Sequence, residues 1–571
     1  MDNQRMFLWG GLAVLLFLNI QTWQHDYGAP VAVPTAPASQ SATAAPAAAA
    51  GALDAVPGAG VPPPGSGTPP AAASPPVAAV PAAIDTPSAA ASTIRIRTDV
   101  LDLEISTQGA EIREALLRQY PRSKETPDDL VRLLSTGQKD GPAVFQWGLT
   151  SGGTGPEANQ KALFTTASDH YDLADNQSEL VVPFTWTDGA GLKVTRTIRL
   201  HRGSYAIDLG QSVENASTAP WRGRAYSQIL RHWQKVERSM WDPSTYSTNG
   251  PEVYNGKKTQ KLDLDKPDAD LLPKGAITGG WAAALQHHFV TAIVPDGAAP
   301  SEYQLAVKDN NYRLAVLGPW QDVAPGASAE FKQKLFVGPK LQDALSDVAP
   351  NLDLTVDYGK LTPIAKPLFW LLSSVHKLIG NWGFAIIFVT FLIKLVFYPL
   401  AQTSGKSMAR MRHIAPRMKE MQERYKDNRE ELGRKMMELY KTEKVNPLAG
   451  CLPIVVQIPV FMGFYWVLLE SVEVRQAPFM LWIHDLSLRD PYFVLPAIMG
   501  AAMFGQFKLN PAPPDPMQAK VFAFMPLVMT VMMSFFPAGL VLYWITNTVL
   551  SIAQQWRINQ LVEAEGAKRK K

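Results

Sequence analysis

Residues 388–402 read FVTFLIKLVFYPLAQ, a run of Phe, Val, Leu and Ile with one lysine, Lys394, inside it. A segment this apolar is patterned to cross a bilayer, and an unpaired lysine at the bilayer centre costs roughly 2.5–3.5 kcal/mol on insertion scales. Lys394 lies about six residues, or ~9 Å of helical rise, before Leu400. Its stem is therefore long enough to reach back toward water. Position leaves two readings open: a charge that snorkels, or a charge the segment exists to hold.

Working outward, long apolar runs recur in the C-terminal third of the 571-residue chain. Candidate spans fall at 383–401, 452–470, 492–509, 520–536 and 538–556, and an apolar stretch at 6–23 behind Arg5 adds a sixth. The first stretch ends in Asn19, Gln21, Trp23 and His25 with no small-residue cleavage site beside it, so the expectation is an uncleaved anchor within 1–28.

Basic residues orient the spans. The 402–450 segment carries Lys406, Arg410, Arg412, Arg417, Lys419, Arg424 and further lysines and arginines to Lys444. The tail at 561–571 ends in Lys568, Arg569, Lys570 and Lys571, whereas the 471–491 loop balances Arg475 and Arg489 against Glu473, Asp485 and Asp490. The positive-inside rule then places 402–450 and both termini in the cytoplasm. The large segment after the first span lies outside, which in a bacterium is the periplasm.

That outer segment has two parts. Residues 29–92 are Ala/Pro/Gly/Ser/Thr-rich with Asp54 and Asp85 as the only charges until the pattern changes, a composition unable to offset ordering entropy and read as a tether. From residue 93, TIRIRTDVLDLEIS alternates apolar and polar positions with period two. LKVTRTIRLHRGSYAIDLGQSVENAS (192–217) reads as two strands around Arg202-Gly203-Ser204, and 303–318 repeats the theme around Asn310-Asn311. The expectation over 93–345 is a large antiparallel β-sandwich. Residues 346–382 connect it to the membrane, ending in an amphipathic helix with Leu361, Ile364, Leu368, Leu372 and Val375 on one face, too polar to span and suited to the interface.

Between the spans at 383–401 and 452–470, Ile414, Met418, Met421 and Tyr425 recur at helical spacing, and Leu432, Met436 and Leu439 continue the pattern after Asp427-Asn428. This predicts a helical hairpin with an apolar seam and a basic exterior. Met408, Met411, Met418, Met421 and Met436 are its candidate contact residues. Methionine either fills the seam or offers an adaptable surface to apolar partners, with the basic face meeting ribosome or anionic lipid.

Several chemistries find no support. The single cysteine, Cys451, leaves no intrachain disulfide and no cysteine metal site, and His287-His288 lacks a third ligand at useful spacing. SGKS at 404–407 lacks the leading Gly of a phosphate-binding loop, since position 400 is Leu400. A net charge of +3 on this length gives no nucleic-acid-binding signal. No enzyme motif is present, and neither a cofactor nor a metal is expected. The intramembrane polar groups are Thr390, one turn from Lys394, Gln457 between Pro453 and Pro459, and Tyr543, Trp544, Thr546 and Asn547 in the last span. Such groups face a bundle interior or a wet cavity.

The segments NWGFAIIFVTFLIKLVFYPL, EKVNPLAGCLPIVVQIPVF, RQAPFMLWIHDLS, DPMQAK and FPAGLVLYW, dense from about 355 to 560, resemble the YidC insertases of Gram-negative bacteria, relatives of the mitochondrial Oxa proteins. The resemblance implies a polytopic α-helical inner-membrane protein: six transmembrane helices, a five-helix insertase core, and a periplasmic β-sandwich. It implies insertion and folding of nascent membrane proteins, alone or with the Sec translocon, and contacts with ribosome, signal recognition machinery and lipids. It also implies a hydrophilic groove with a basic residue, usually arginine, at the position of Lys394. Lys394, Thr390, Gln457, Tyr543, Trp544 and Asn547 are the groove candidates. Lysine keeps the charge and lacks arginine's planar fork. A transporter or lipid translocase, and a membrane-anchored periplasmic binding module, are the competing classes.

Overall fold

The computed structural model describes residues 91–137, 141–153, 155–233, 245, 247–265, 272–273, 275–425, 428–443, 452–509 and 516–569. The expected anchor at 6–23 and nearly all of the tether lie outside the described residues. The chain divides into two compact units: a β-rich one, Ala47–Pro363 with Trp466–Ala477, and a helical one, Ile364–Tyr465 with Pro478–Lys571.

Among the described residues the β-rich unit holds a ten-stranded and an eight-stranded sheet. Alternation builds the second sheet strand by strand. In Leu192–His201, Leu192, Val194, Ile198 and Leu200 are buried while Lys193 and Arg199 are exposed. The turn expected at Arg202-Gly203-Ser204 joins this strand to Ala206–Asn215, in antiparallel register from Leu192↔Asn215 to Leu200↔Ile207, with Gly203 at φ 70. Glu302–Lys308 pairs with Asn311–Leu317 around Asp309 and Asn310, both left-handed, at the second expected turn. The expected antiparallel pattern has a departure among the described residues: Thr93–Arg97 pairs in parallel with His170–Asp172. The alternation of Ile94 and Ile96 sets which face is buried but is indifferent to strand direction.

The core of this unit contains Trp147, Trp281, Phe145, Phe184 and Phe336, and also Arg196, which sits on the inward face among them. Its Nε donates to Gln211 Oε1 at 3.0 Å, its terminal nitrogens donate to the carbonyls of Gly109 and Ala158, and its guanidinium lies 4.3 Å from the Phe164 ring centre. Burial pushes it down to about 9. The segment Trp466–Ala477 is stitched into the same unit: the Arg475 guanidinium donates to Pro121 O at 2.9 Å and Arg122 O at 3.0 Å, and Gln476 Nε2 to Pro121 O at 2.9 Å. His287 and His288 stack at 3.8 Å rather than converging on a ligand set, and no group of three His, Cys, Asp or Glu among the described residues could hold a metal.

The described helices are α1 (Gln342–Val348), α2 (Thr362–Ile379), α3 (Trp382–Val396), α4 (Tyr398–Arg424), α5 (Arg429–Thr442), α6 (Leu452–Glu470), α7 (Val494–Leu509), α8 (Pro516–Met533) and α9 (Ala538–Arg569). Among the described residues no single helix is both long and apolar enough to cross a membrane; α3 with the start of α4, Tyr398–Ser407, passes only as a pair bent by 64°. The span expected over 383–401 is therefore broken at Phe397. The cause is local: Pro399 occupies the first turn of α4, which favours a fresh helix start there and disfavours continuation from α3. Two more boundaries move. The first hairpin helix begins at Tyr398 rather than after 402, and the last helix runs past 556 to Arg569, through most of the expected basic tail.

Within the helical unit α9 is central, packing against α3, α4 and α7. Close approach depends on glycine: a Cβ on Gly405 would lie 2.7 Å from Ile558, and one on Gly383 would lie 2.0 Å from the Phe479 ring. Asn381 caps α3 by accepting from Phe384 N at 3.1 Å, and its amide donates to Phe479 O at 3.0 Å.

Candidate functional site

Lys394 is in the last turn of α3 and half-buried. Its Nζ donates to Ser551 Oγ at 2.7 Å, and that hydroxyl in turn donates to Asn547 O at 2.7 Å. Among the described residues no carboxylate pairs with it. One turn earlier, Thr390 is buried and donates to Ile386 O at 2.6 Å, so its hydroxyl is tied to its own helix.

These groups border a cavity of about 50 Å³ that Lys394 and Thr390 share with Gln457 of α6 and Tyr543 and Asn547 of α9; Ile393, Phe397 and Val460 supply its apolar wall. A space of this size has room for one or a few waters, and the polar groups that interrupt its apolar wall, Lys394, Gln457 and Asn547, can hydrogen-bond them. The break at Phe397 matters here, because Phe397, Leu400 and Ala401 on either side of the bend also line the cavity.

The aromatic residues have different placements. Tyr543 is buried and stacks on Phe464 at 4.8 Å and on Phe461 at 6.0 Å, with its hydroxyl toward the cavity side where Gln457 reaches it. Trp544 meets Phe461 edge to face at 4.7 Å and does not line the cavity. Five of the six groove candidates thus converge. Ser551, the direct partner of Lys394, was not among them. Its signal lay in α9, where Tyr543, Asn547 and Ser551 stand four residues apart on one face.

The hairpin methionines lie elsewhere. Met418 and Met436 are buried in a seam with Ile414 and Leu439, against which Met411, Met421, Leu432 and Tyr440 pack half-buried. Arg417 and Glu443 bridge α4 to the end of α5 at 2.7 Å. The side chain of Met408 lies outside the described residues. SGKS is simply helical, with Ser404 and Gly405 buried in α4.

The chain's relatives agree with this division. Residues 374–565 match the family model described as the 60Kd inner membrane protein, and residues 93–371 match the YidC periplasmic domain. A membrane protein insertase YidC of Nitrosococcus oceani is 44% identical over 99% of this chain and 100% of the relative. That of Thioalkalivibrio sulfidiphilus is 44% identical over 100% of each. A solved structure of an active YidC insertase with its first transmembrane domain covers 81% of this chain and 91% of its own at 16% identity and a TM-score of 0.36, so the assignment stands on the sequence relatives. With both of its regions matched by the two halves of one family, and with relatives of this identity along its whole length, the chain belongs to the YidC family of membrane protein insertases.

Proposed function

We infer that this chain is a membrane protein insertase of the bacterial inner membrane, and we propose that Lys394 is the counter-charge that receives acidic residues of incoming segments. The observation that carries the second statement is the ammonium group bonded to a neutral hydroxyl, Ser551, beside a cavity where Thr390, Gln457 and Asn547 interrupt an apolar wall, and without a carboxylate among the described residues. A buried or half-buried cation is ordinarily paired. One held by a hydroxyl can exchange that partner for a carboxylate at little cost, because the charge-assisted bond to an anion is the stronger one.

In this mechanism no covalent bond is made or broken. A substrate helix partitions into lipid while its polar tail uses the wet cavity, which shortens the apolar distance the tail must cross. Lys394 attracts the tail's carboxylate, and release follows burial of the substrate's apolar face in the bilayer. We further propose the six-span arrangement with both termini cytoplasmic and the β-rich domain periplasmic, supported by the basic 402–450 segment. The basic hairpin is then the surface for ribosome or lipid, with the Sec translocon as a partner for larger substrates.

Proteoliposomes provide the test. Lys394→Ala should impair insertion of a small substrate with an acidic translocated tail, and Lys394→Arg should preserve it. Unimpaired insertion by Lys394→Ala at equal reconstitution would sink the counter-charge role.

A further inference from the structure

Pro478–Phe493, between α6 and α7, belongs by composition to the water side, as a loop with His484, Asp485, Arg489 and Asp490. Its outward surface is nevertheless apolar. Met480, Leu481, Leu488, Tyr492 and Phe493 are exposed, Leu481 by 72% and Tyr492 by 69%. The interior positions are taken by Ile483, Leu486 and the carboxylate of Asp490, all buried.

This exposure belongs to a rigid structure. Asp490 accepts from Trp482 Nε1 at 3.0 Å, from Tyr492 N at 3.0 Å and from Leu495 N at 2.7 Å. Asp485 accepts from the Ser487 hydroxyl at 2.6 Å. The carbonyls of Leu486 and Leu488 accept from Gly539 N and Ala538 N at the start of α9, at 2.9 and 2.7 Å, and Phe479 is held by Asn381. Leu481 and Phe493 have φ values of 53 and 56, left-handed conformations that cost bulky side chains about 1 kcal/mol or more and persist only where the surroundings impose them. The loop is held so that its leucine and phenylalanine point outward. Asp490 is buried, half-buried Asp485 is bonded to Ser487, and the exposed basic groups are His484 and Arg489.

We propose that this loop seats in the outer leaflet, with Leu481, Leu488, Tyr492 and Phe493 among the upper acyl chains and Arg489 at the phosphates. The occupant is lipid because the apolar rim continues onto exposed Leu378 and Ile379 at the end of α2, separated by Gly380 from the Asn381 that grips Phe479, and because both flanking segments are read as spans. Aromatic and leucine side chains with a cation beside them, and no fully exposed anion, match the interfacial zone of a bilayer. The inference rests on reading α6 and α7 as membrane spans.

The experiment uses the full-length chain with Cys451→Ser, reconstituted into phosphatidylethanolamine/phosphatidylglycerol vesicles. An environment-sensitive fluorophore is attached at Leu481→Cys, Leu488→Cys, Ile498→Cys or Lys332→Cys. Ile498 is exposed on α7 and reports the span; Lys332 is exposed on the β-rich unit and reports water. Lipids carrying a shallow spin label should quench positions 481 and 488 at least twofold more than position 332. If 498 is quenched while 481 and 488 behave like 332, the loop proposal is overturned and the span reading stands. If 498 also behaves like 332, both fall.

Discussion

The proposed charge exchange between Lys394 and an acidic substrate tail can be given a number. A carboxylate about 4 Å from an ammonium gains ~4 kcal/mol at an effective dielectric of about 20. Lys394 is half-buried, so screening reduces this to ~1–2 kcal/mol. Each acidic residue that engages should therefore change the insertion rate about 5- to 30-fold, since 1.36 kcal/mol corresponds to tenfold. Protease protection of a substrate tail, followed as initial rate in proteoliposomes, reads the effect. Lys394→Ala should slow an acidic-tailed substrate by about tenfold while changing a neutral-tailed one by less than about twofold. Lys394→Glu should be slower still with the acidic tail and recover when the tail's carboxylates are replaced by lysine. Equal slowing of acidic and neutral tails by every variant would refute the reasoning, because it would show that Lys394 serves the packing of α3 against α9 and not the charge of the passenger.

Three further outcomes test the surrounding structure. Glu252 is buried in the β-rich unit with Oε2 lacking a hydrogen-bond partner, and burial pushes its carboxyl up to about 7, opposed by Lys261 and Lys340. A raised folded value means its contribution is fully present below about pH 4.5 and lost as pH rises through about 7, so the full-length protein's Tm should fall across that window and Glu252→Gln should flatten the slope. Arg196→Ala removes the donor shared by Gln211, Gly109 and Ala158 and leaves a cavity beside Trp147; it should cost more than ~3 kcal/mol in denaturant unfolding, with Arg196→Lys intermediate. Gly383→Ala forces the Phe479 ring aside and should cost ~1–3 kcal/mol, seen as a lower Tm in micelles, whereas Gly137→Ala, with nothing within 4 Å of its added carbon, should change little.

Local patterns were legible in the chain itself. Period-two alternation located the strands around Arg202-Gly203-Ser204 and Asn310-Asn311, because a strand's side chains alternate whatever it pairs with. Long apolar runs marked the starts of α3, α6, α7, α8 and α9 to within a few residues but not every end, since α3 stops at Val396 and α9 continues to Arg569, and spacing of Ile414, Met418, Met436 and Leu439 anticipated the hairpin seam. An isolated lysine in an apolar run marked the candidate site because burying an unpaired charge is costly enough to demand a reason. What chain order could not decide were relations across long separations. Ser551 is 157 residues from Lys394, and only the packing of α9 against α3 brings its hydroxyl to the ammonium. The parallel pairing of Thr93–Arg97, the burial of Arg196 on an apolar face, and the outward turn of Leu481 and Phe493 have the same origin. Each depends on partners that the local pattern does not name, and in each the tertiary hydrogen bonds and contacts override the preference a residue would show alone.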